Sequence, residues 1–148
     1  MRIPEIAVNA GVWTLENGHR ALLKLTGGRF PKRIMRMPTL ELHTVGRRSG
    51  QPRHNWLTAP ILEPERVVLI ASKGGHPRHP DWYLNLSANP DIELTIDGVR
   101  SRWRARTATG EERAALWAHV TSVYRGYASY QANTDREIPV VVCEPADS

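Results

Sequence analysis

From Thr39 onward the chain reads as short strand-like segments separated by turn residues. Thr39 to Thr44 is the first, and Gly46-Arg47-Arg48-Ser49-Gly50 is a turn by its two glycines. Arg53 to Leu62 and Arg66 to Ser72 follow, joined by Glu63-Pro64-Glu65. The second of these is nearly all apolar, which predicts the most buried strand. Gly74 to Pro80 is loop. Asp91 to Ile96 and Val99 to Arg106 flank Asp97-Gly98, a pair suited to a type I′ hairpin turn, in which both central residues need positive φ. Ile138 to Cys143 is the last strand.

Helical signals are fewer. Trp13 to Leu25 carries Leu15, Leu22 and Leu25 at apolar positions of a short helix that Gly27-Gly28 ends. Pro80 suits the first position of a helix through Trp82, Tyr83 and Leu86 that stops before Pro90. Thr109-Gly110-Glu111-Glu112 has the spacing of a capping box and opens a helix through about Tyr124. Short hairpins rather than repeated βαβ units predict a mainly β fold with flanking helices, a small antiparallel barrel. One domain spans residues 1–148, with 1–38 as an N-terminal helix and basic lid segment.

A length of 148 residues with 41% hydrophobic and 24% charged side chains is enough for one globular core. The longest apolar runs, Val67 to Ala71 and Val140 to Cys143, are too short to span a bilayer. Met1 to Gly11 lacks a signal-peptide pattern, and the single Cys143 permits no internal disulfide. The expected location is the cytoplasm. The stretch Arg29 to Pro38 mixes Ile34, Met35 and Met37 with Lys32, Arg33 and Arg36. It reads either as a lid on the barrel or as a peripheral contact with the cytoplasmic face of the membrane.

Charge sharpens this picture. Residues 1–59 hold ten Lys/Arg and three Asp/Glu, a net of +7, whereas residues 60–148 hold ten and twelve, a net of −2. A basic first part implies an anionic partner there. Gly46 to Arg53 is the best local candidate: its glycines let backbone N–H groups converge, and three arginines add planar forks for phosphate or carboxylate. Ala71-Ser72-Lys73-Gly74-Gly75 leaves the most buried strand into a glycine loop, where backbone comes close to a flat ligand. Tyr124, Tyr127 and Tyr130 recur every third residue, so a helix would align them in one stripe, either in the core or at the mouth of a cavity. Arg100, Arg102, Arg104 and Arg106 share one strand face, as a nucleic-acid stripe or a solvated exterior.

Several chemistries are missing. The six histidines show no metal-ligand spacing, and neither Ser49 nor Ser72 has a nucleophile-elbow frame. Cys143 lies in an apolar run and reads as an inert core thiol. Chemistry then has to come from a bound organic cofactor.

Four blocks in order resemble the deazaflavin-dependent nitroreductase and quinone reductase family of actinobacterial type. They are Thr44 to Arg53, Ala71 to Gly75, Pro80 to Leu86 with Ala88-Asn89-Pro90, and Thr134-Asp135-Arg136 with Ile138-Pro139-Val140. The resemblance covers about residues 39–145. It implies a split antiparallel β-barrel, like those that bind flavin mononucleotide, and binding of coenzyme F420, a deazaflavin with a phosphate and an oligoglutamate tail. Reduced F420 would pass a hydride to a small electron-poor acceptor: a quinone, a nitroaromatic or an activated enone.

By position, the resemblance implies that Arg47, Arg48, Ser49, Gly50, Gln51, Pro52 and Arg53 hold the phosphate and the start of the tail, beside Leu42 and His43. Ala71, Ser72 and Lys73 would line the ring, with Trp82 near it. Tyr124, Tyr127 and Tyr130 match tyrosines that shape the substrate pocket. Of these, Ser72, Tyr124 and Tyr130 are the expected catalytic residues, and Tyr127 a ligand-binding one. His54-Asn55-Trp56 departs from the family, which often has a proline after the asparagine. Two alternatives stay open on the sequence: an FMN-dependent oxidoreductase on the same barrel, and a non-catalytic barrel binding anions or nucleic acid. The enzyme reading involves no nucleic acid and leaves the oligomeric state undetermined.

Overall fold

The computed structural model describes residues 33–34 and 37–146. The expected helix at Trp13 to Leu25 lies outside them, as does most of the basic segment Arg29 to Pro38. Eight strands form one antiparallel sheet: β1 (Arg33–Ile34), β2 (Met37–Val45), β3 (Pro52–Thr58), β4 (Ile61–Glu63), β5 (Arg66–Ile70), β6 (Asp91–Ile96), β7 (Val99–Thr107) and β8 (Val140–Pro145). The sheet runs β1-β2-β6-β7-β8-β5-β4, with β3 paired to β2. Three helices accompany it: α1 (Asp81–Ala88), α2 (Gly110–Val123) and α3 (Gly126–Ala132). The fold is a curled antiparallel half-barrel of the split-barrel type.

Period-two alternation divides the core. Val67 and Leu69 of β5 join Val141 and Cys143 of β8 in one apolar cluster, with Leu40, Leu42, Leu94 and Trp103. Val68 and Ile70 join Val140 and Val142 in a second, with Leu116 and Val120 of α2 and Tyr127 of α3. Strands β5 and β8 are therefore buried on both faces, which is why their sequences are apolar without interruption. Trp82 and Leu86 of α1 close the first cluster. Cys143 is fully buried, and burial pushes its thiol up to about 12, in keeping with an inert core position.

Several expected boundaries move. Arg53 to Leu62 is two strands, because Pro60 has no N–H to donate to a ladder. The Ala59 N–H closes on the Pro38 carbonyl at 2.8 Å, and the chain then changes partner from β2 to β5. The last strand starts at Val140 rather than Ile138, since the Pro139 carbonyl instead accepts the Ala71 N–H. Pro80 lies just before α1 in an extended conformation, its carbonyl accepting from Tyr83 and Leu84. Thr109 does precede α2, but its side chain makes no capping bond. Glu112, the other half of the expected capping box, is held by both terminal nitrogens of Arg106 at 2.6 and 2.9 Å, a stronger charge-assisted pair. Asp97 and Gly98 have φ of +50° and +79°, as a type I′ turn requires.

Among the described residues no helix is long and apolar enough to cross a membrane.

Candidate functional site

The β2–β3 hairpin carries the arginine turn beyond the sheet. The Gly46 N–H donates to the Gln51 carbonyl at 2.8 Å, and the Gly50 N–H returns to Gly46 at 2.9 Å. Gly50 has a φ of +70°, and a Cβ on Gly46 would lie 2.6 Å from Ser49 Oγ. The left-handed backbone at Gly50 favours glycine, and a side chain at Gly46 would have to displace the Ser49 hydroxyl. Ser49 Oγ accepts from the Gln51 N–H at 3.1 Å and from Arg53 Nη2 at 3.3 Å.

Arg47 ties this turn to α1. Its backbone N–H and its Nη1 both donate to Asn85 Oδ1, at 3.1 and 2.9 Å, and its Nη2 reaches Asp81 at 3.3 Å. Between turn and helix lies an open cleft of about 590 Å³, lined by Arg47, Arg48, Arg53, His54, Trp82 and Asn85. Arg48 and Arg53 are exposed there. Asn85 is a cleft-lining residue that reading the sequence did not single out. It lies three residues from Trp82 on the buried face of α1, and a buried amide on an apolar helix face signals a polar partner.

The second group gathers around Ser72. Ala71 is buried in the same apolar cluster as Trp82, a residue that lines the cleft. Ser72 is right-handed (φ −75°, ψ −38°), whereas Lys73, Gly74 and Gly75 are left-handed, at φ +45°, +62° and +83°. A change of hand between successive residues turns consecutive N–H groups toward one point, the geometry of a small backbone nest. A left-handed lysine is uncommon and costs conformational energy. A Cβ on Gly75 would stand 2.7 Å from the Tyr130 carbonyl, so only glycine lets the loop approach α3 this closely.

The three tyrosines meet, but not along one helix. Tyr124 follows the last residue of α2 in extended conformation, and its ring folds over Gly126, where any Cβ would strike it. Tyr127 and Tyr130 belong to α3. The rings contact edge to face with centroids 5.1 to 6.4 Å apart. The Tyr124 and Tyr130 hydroxyls are 3.2 Å apart and half-buried. Burial, then the bond to Tyr124, holds the Tyr130 hydroxyl well above its usual pKa. Two hydroxyls share one mutual bond, which leaves a second O–H proton free to donate outward.

Tyr127 differs from its neighbours. It is 4% exposed, and its hydroxyl donates to the Met37 sulfur at 3.5 Å. Burial pushes this hydroxyl up to about 12. These contacts place it in the core. Tyr127→Phe is expected to cost at most about 1 kcal/mol of stability and to leave turnover unchanged. Thermal melting and steady-state rates on the same variant check this.

Leu42 and His43, on the strand that leads into the arginine turn, face opposite ways. Leu42 is fully buried among core residues, so its side chain is out of a ligand's reach. His43 is on the opposite face of β2, where its Nε2 meets Thr95 Oγ1 at 2.8 Å and Glu41 at 3.3 Å. It lines a second cleft of about 730 Å³ on the outer sheet face, along with Gly50 and Arg53 of the arginine turn, His54, Glu93 and Arg100. The neighbouring arginine stripe is largely neutralised: Arg100 pairs with Glu93, Arg104 with Asp91, and Arg106 with Glu112 and Glu144. That pairing fits a solvated exterior. Among the described residues no cluster suits a metal ion.

The site thus offers exposed arginine forks at Arg48 and Arg53, an aromatic side chain at Trp82, and a nest beside a tyrosine pair. Such donors fit a ligand that is anionic at one end and flat with polar edges at the other. Comparisons with known proteins agree. The profile of the family described as F420H(2)-dependent quinone reductase matches residues 17–145. An F420H(2)-dependent quinone reductase of Mycobacterium tuberculosis strain H37Rv is 40% identical over 128 residues, covering 84% of this chain and 85% of that relative. A solved F420-H2 dependent reductase is similar at TM-score 0.65 and 38% identity, covering 72% of this chain and 94% of its own. A structure described as a domain-swapped dimer is similar at TM-score 0.67 and 35% identity, covering 89% and 97%. The chain belongs to the F420H(2)-dependent quinone reductase family.

Proposed function

We propose that this chain reduces a quinone-type acceptor in the space between the Ser72–Lys73 nest and the Tyr124–Tyr130 pair, with Arg47, Arg48 and Arg53 holding the anionic end of the cofactor. The family sets the reaction class, an oxidoreductase with reduced F420 as its cofactor. Bound F420H2 supplies a hydride. The chain's own residues do the rest. Arg48 and Arg53 are exposed in the cleft and meet phosphate and carboxylates with planar forks. Trp82 forms the flat wall between the arginine turn and Ala71. The Ser72 and Lys73 N–H groups donate to polar ring edges.

At the other end, the free O–H of the tyrosine pair donates to the acceptor oxygen as negative charge develops there. A tyrosine hydroxyl is protonated at neutral pH, and burial here disfavours its ionised form further, so it acts as a donor. Half-burial limits water around it and strengthens that bond. Nitroaromatics and activated enones carry similar electron-poor centres and belong to the same proposal.

The observation that carries this reading is the αR–αL reversal at Ser72–Lys73 lying against the tyrosine-bearing helix. Equilibrium binding tests it. The chain is expected to bind F420 at micromolar or tighter Kd and FMN much more weakly, because only F420 carries a long anionic tail. Added salt should weaken F420 binding, since part of the attraction acts through solvent. Tight FMN binding without F420 affinity would refute it.

A further inference from the structure

The Thr134-Asp135-Arg136 block has no place in the reading above, yet Arg136 makes more directed bonds than any other side chain near the Ser72 loop. Its Nε donates to the His76 carbonyl at 2.8 Å. Its Nη2 donates to the Ser72 carbonyl at 2.8 Å, and its Nη1 to the Ala71 carbonyl at 3.2 Å. Nη1 also faces His79 Nδ1 at 3.0 Å. An arginine has only donors, so His79 accepts here through an unprotonated Nδ1. Four neutral acceptors from residues 71 to 79 are thus gathered on one planar cation.

We propose that Arg136 is a positioning residue: it clamps the loop from Ala71 to His79 so that the Ser72 and Lys73 N–H groups face the cofactor ring. The proposal rests on the placement of that ring at Ser72–Lys73 given above.

Three observations carry it. The loop holds a left-handed lysine, a conformation that needs outside restraint. The carbonyls of Ala71 and Ser72 are both taken by Arg136, which turns the neighbouring peptide groups and so aims the N–H groups that follow. Arg136 itself is fixed from both sides. Its carbonyl accepts from Gln131 Nε2 at 2.7 Å, and its N–H meets Thr134 Oγ1 at 3.4 Å. Gln131 is on α3, next to Tyr130, and Gln131 Oε1 also accepts the Ile138 N–H at 2.8 Å. One side chain therefore couples the nest to the helix that carries Tyr130.

A purely ionic role would look different. Burial lowers the Arg136 pKa, and the contacts it makes are to carbonyls and an imidazole. A lysine presents three donors from one point and cannot reproduce a fork that serves four separated acceptors. The guanidinium geometry, rather than its charge, is what the loop uses.

The test uses the full chain as wild type, Arg136→Ala and Arg136→Lys. Three readouts are taken: hydrogen exchange of residues 71–79 without cofactor, F420 affinity by fluorescence, and single-turnover oxidation of F420H2 by a soluble naphthoquinone at saturating cofactor. Both variants are expected to exchange at least tenfold faster over 71–79, with β5 and β8 unchanged. The single-turnover rate should fall tenfold or more while F420 Kd changes by about threefold or less, because the arginine turn still holds the tail. Lysine should not rescue. If Arg136→Ala fails to fold, Arg136→Lys decides alone, since it keeps the charge and the stem. Wild-type rates at saturating cofactor despite a loosened loop would overturn the proposal. So would retained protection in both variants, or full rescue by lysine. A wild-type chain that binds no F420 would instead sink the cofactor placement itself, and the clamp's purpose with it.

Discussion

Replacing Tyr130 by Phe lowers turnover by about 30- to 1000-fold while the protein keeps its fold. The magnitude follows from losing a hydroxyl that stabilises developing charge, worth about 2–4 kcal/mol in a partly dry site. The ring remains, so its edge-to-face contacts with Tyr124 and Tyr127 persist. Stability falls by at most about 1 kcal/mol, the cost of the 3.2 Å bond to Tyr124. Tyr124→Phe gives a smaller loss, because it leaves the Tyr130 hydroxyl in place but without its orienting partner. The cofactor Kd stays near the wild-type value in both. Steady-state rates, Kd and melting temperature on the two variants check this together. Wild-type kcat in both would return the pair to core packing and leave the acceptor without a named donor.

Arg48→Ala weakens F420 binding by about 1–3 kcal/mol, the range for charge-assisted bonds, and the melting temperature does not move. Arg47→Ala weakens it comparably but also costs stability. Its guanidinium holds Asn85 and Asp81 of α1, so removing it takes away one of the two bonds to Asn85 Oδ1. The backbone N–H still serves that oxygen at 3.1 Å, which limits the stability loss to about 1 kcal/mol. The double variant should lose well over tenfold in affinity. Unchanged affinity in the double variant would make the turn a solvated loop. Titration calorimetry with F420 at two salt concentrations, beside a thermal melt, separates the two effects.

Local signals on the chain carried much of this fold. Asp97-Gly98 specifies its turn because few residue pairs tolerate two positive φ values in succession. The uninterrupted apolar runs at Val67 and Val140 announce strands buried on both faces. The glycines of the arginine turn and the order of the motif blocks pointed to the cofactor class. These are short-range properties, set by a few adjacent side chains.

What the sequence could not decide lies in contacts across long separations. Nothing near Glu112 reveals that Arg106 would draw it away from a cap, or near Tyr127 that its hydroxyl would face the sulfur of Met37. Leu42 and His43 are adjacent in the chain, yet pleating sends one into the core and the other to the outer face. Arg136 is 64 residues from Ser72, and only the packing of α3 against the loop brings its guanidinium to that carbonyl. Sequence determined most of the described strands, the Asp97-Gly98 turn and the family, because each rests on local backbone preference or on residues in order. Tertiary structure alone decided which polar side chains are spent on holding the site and which are left for a ligand, because a hydrogen bond depends on where two atoms meet in space.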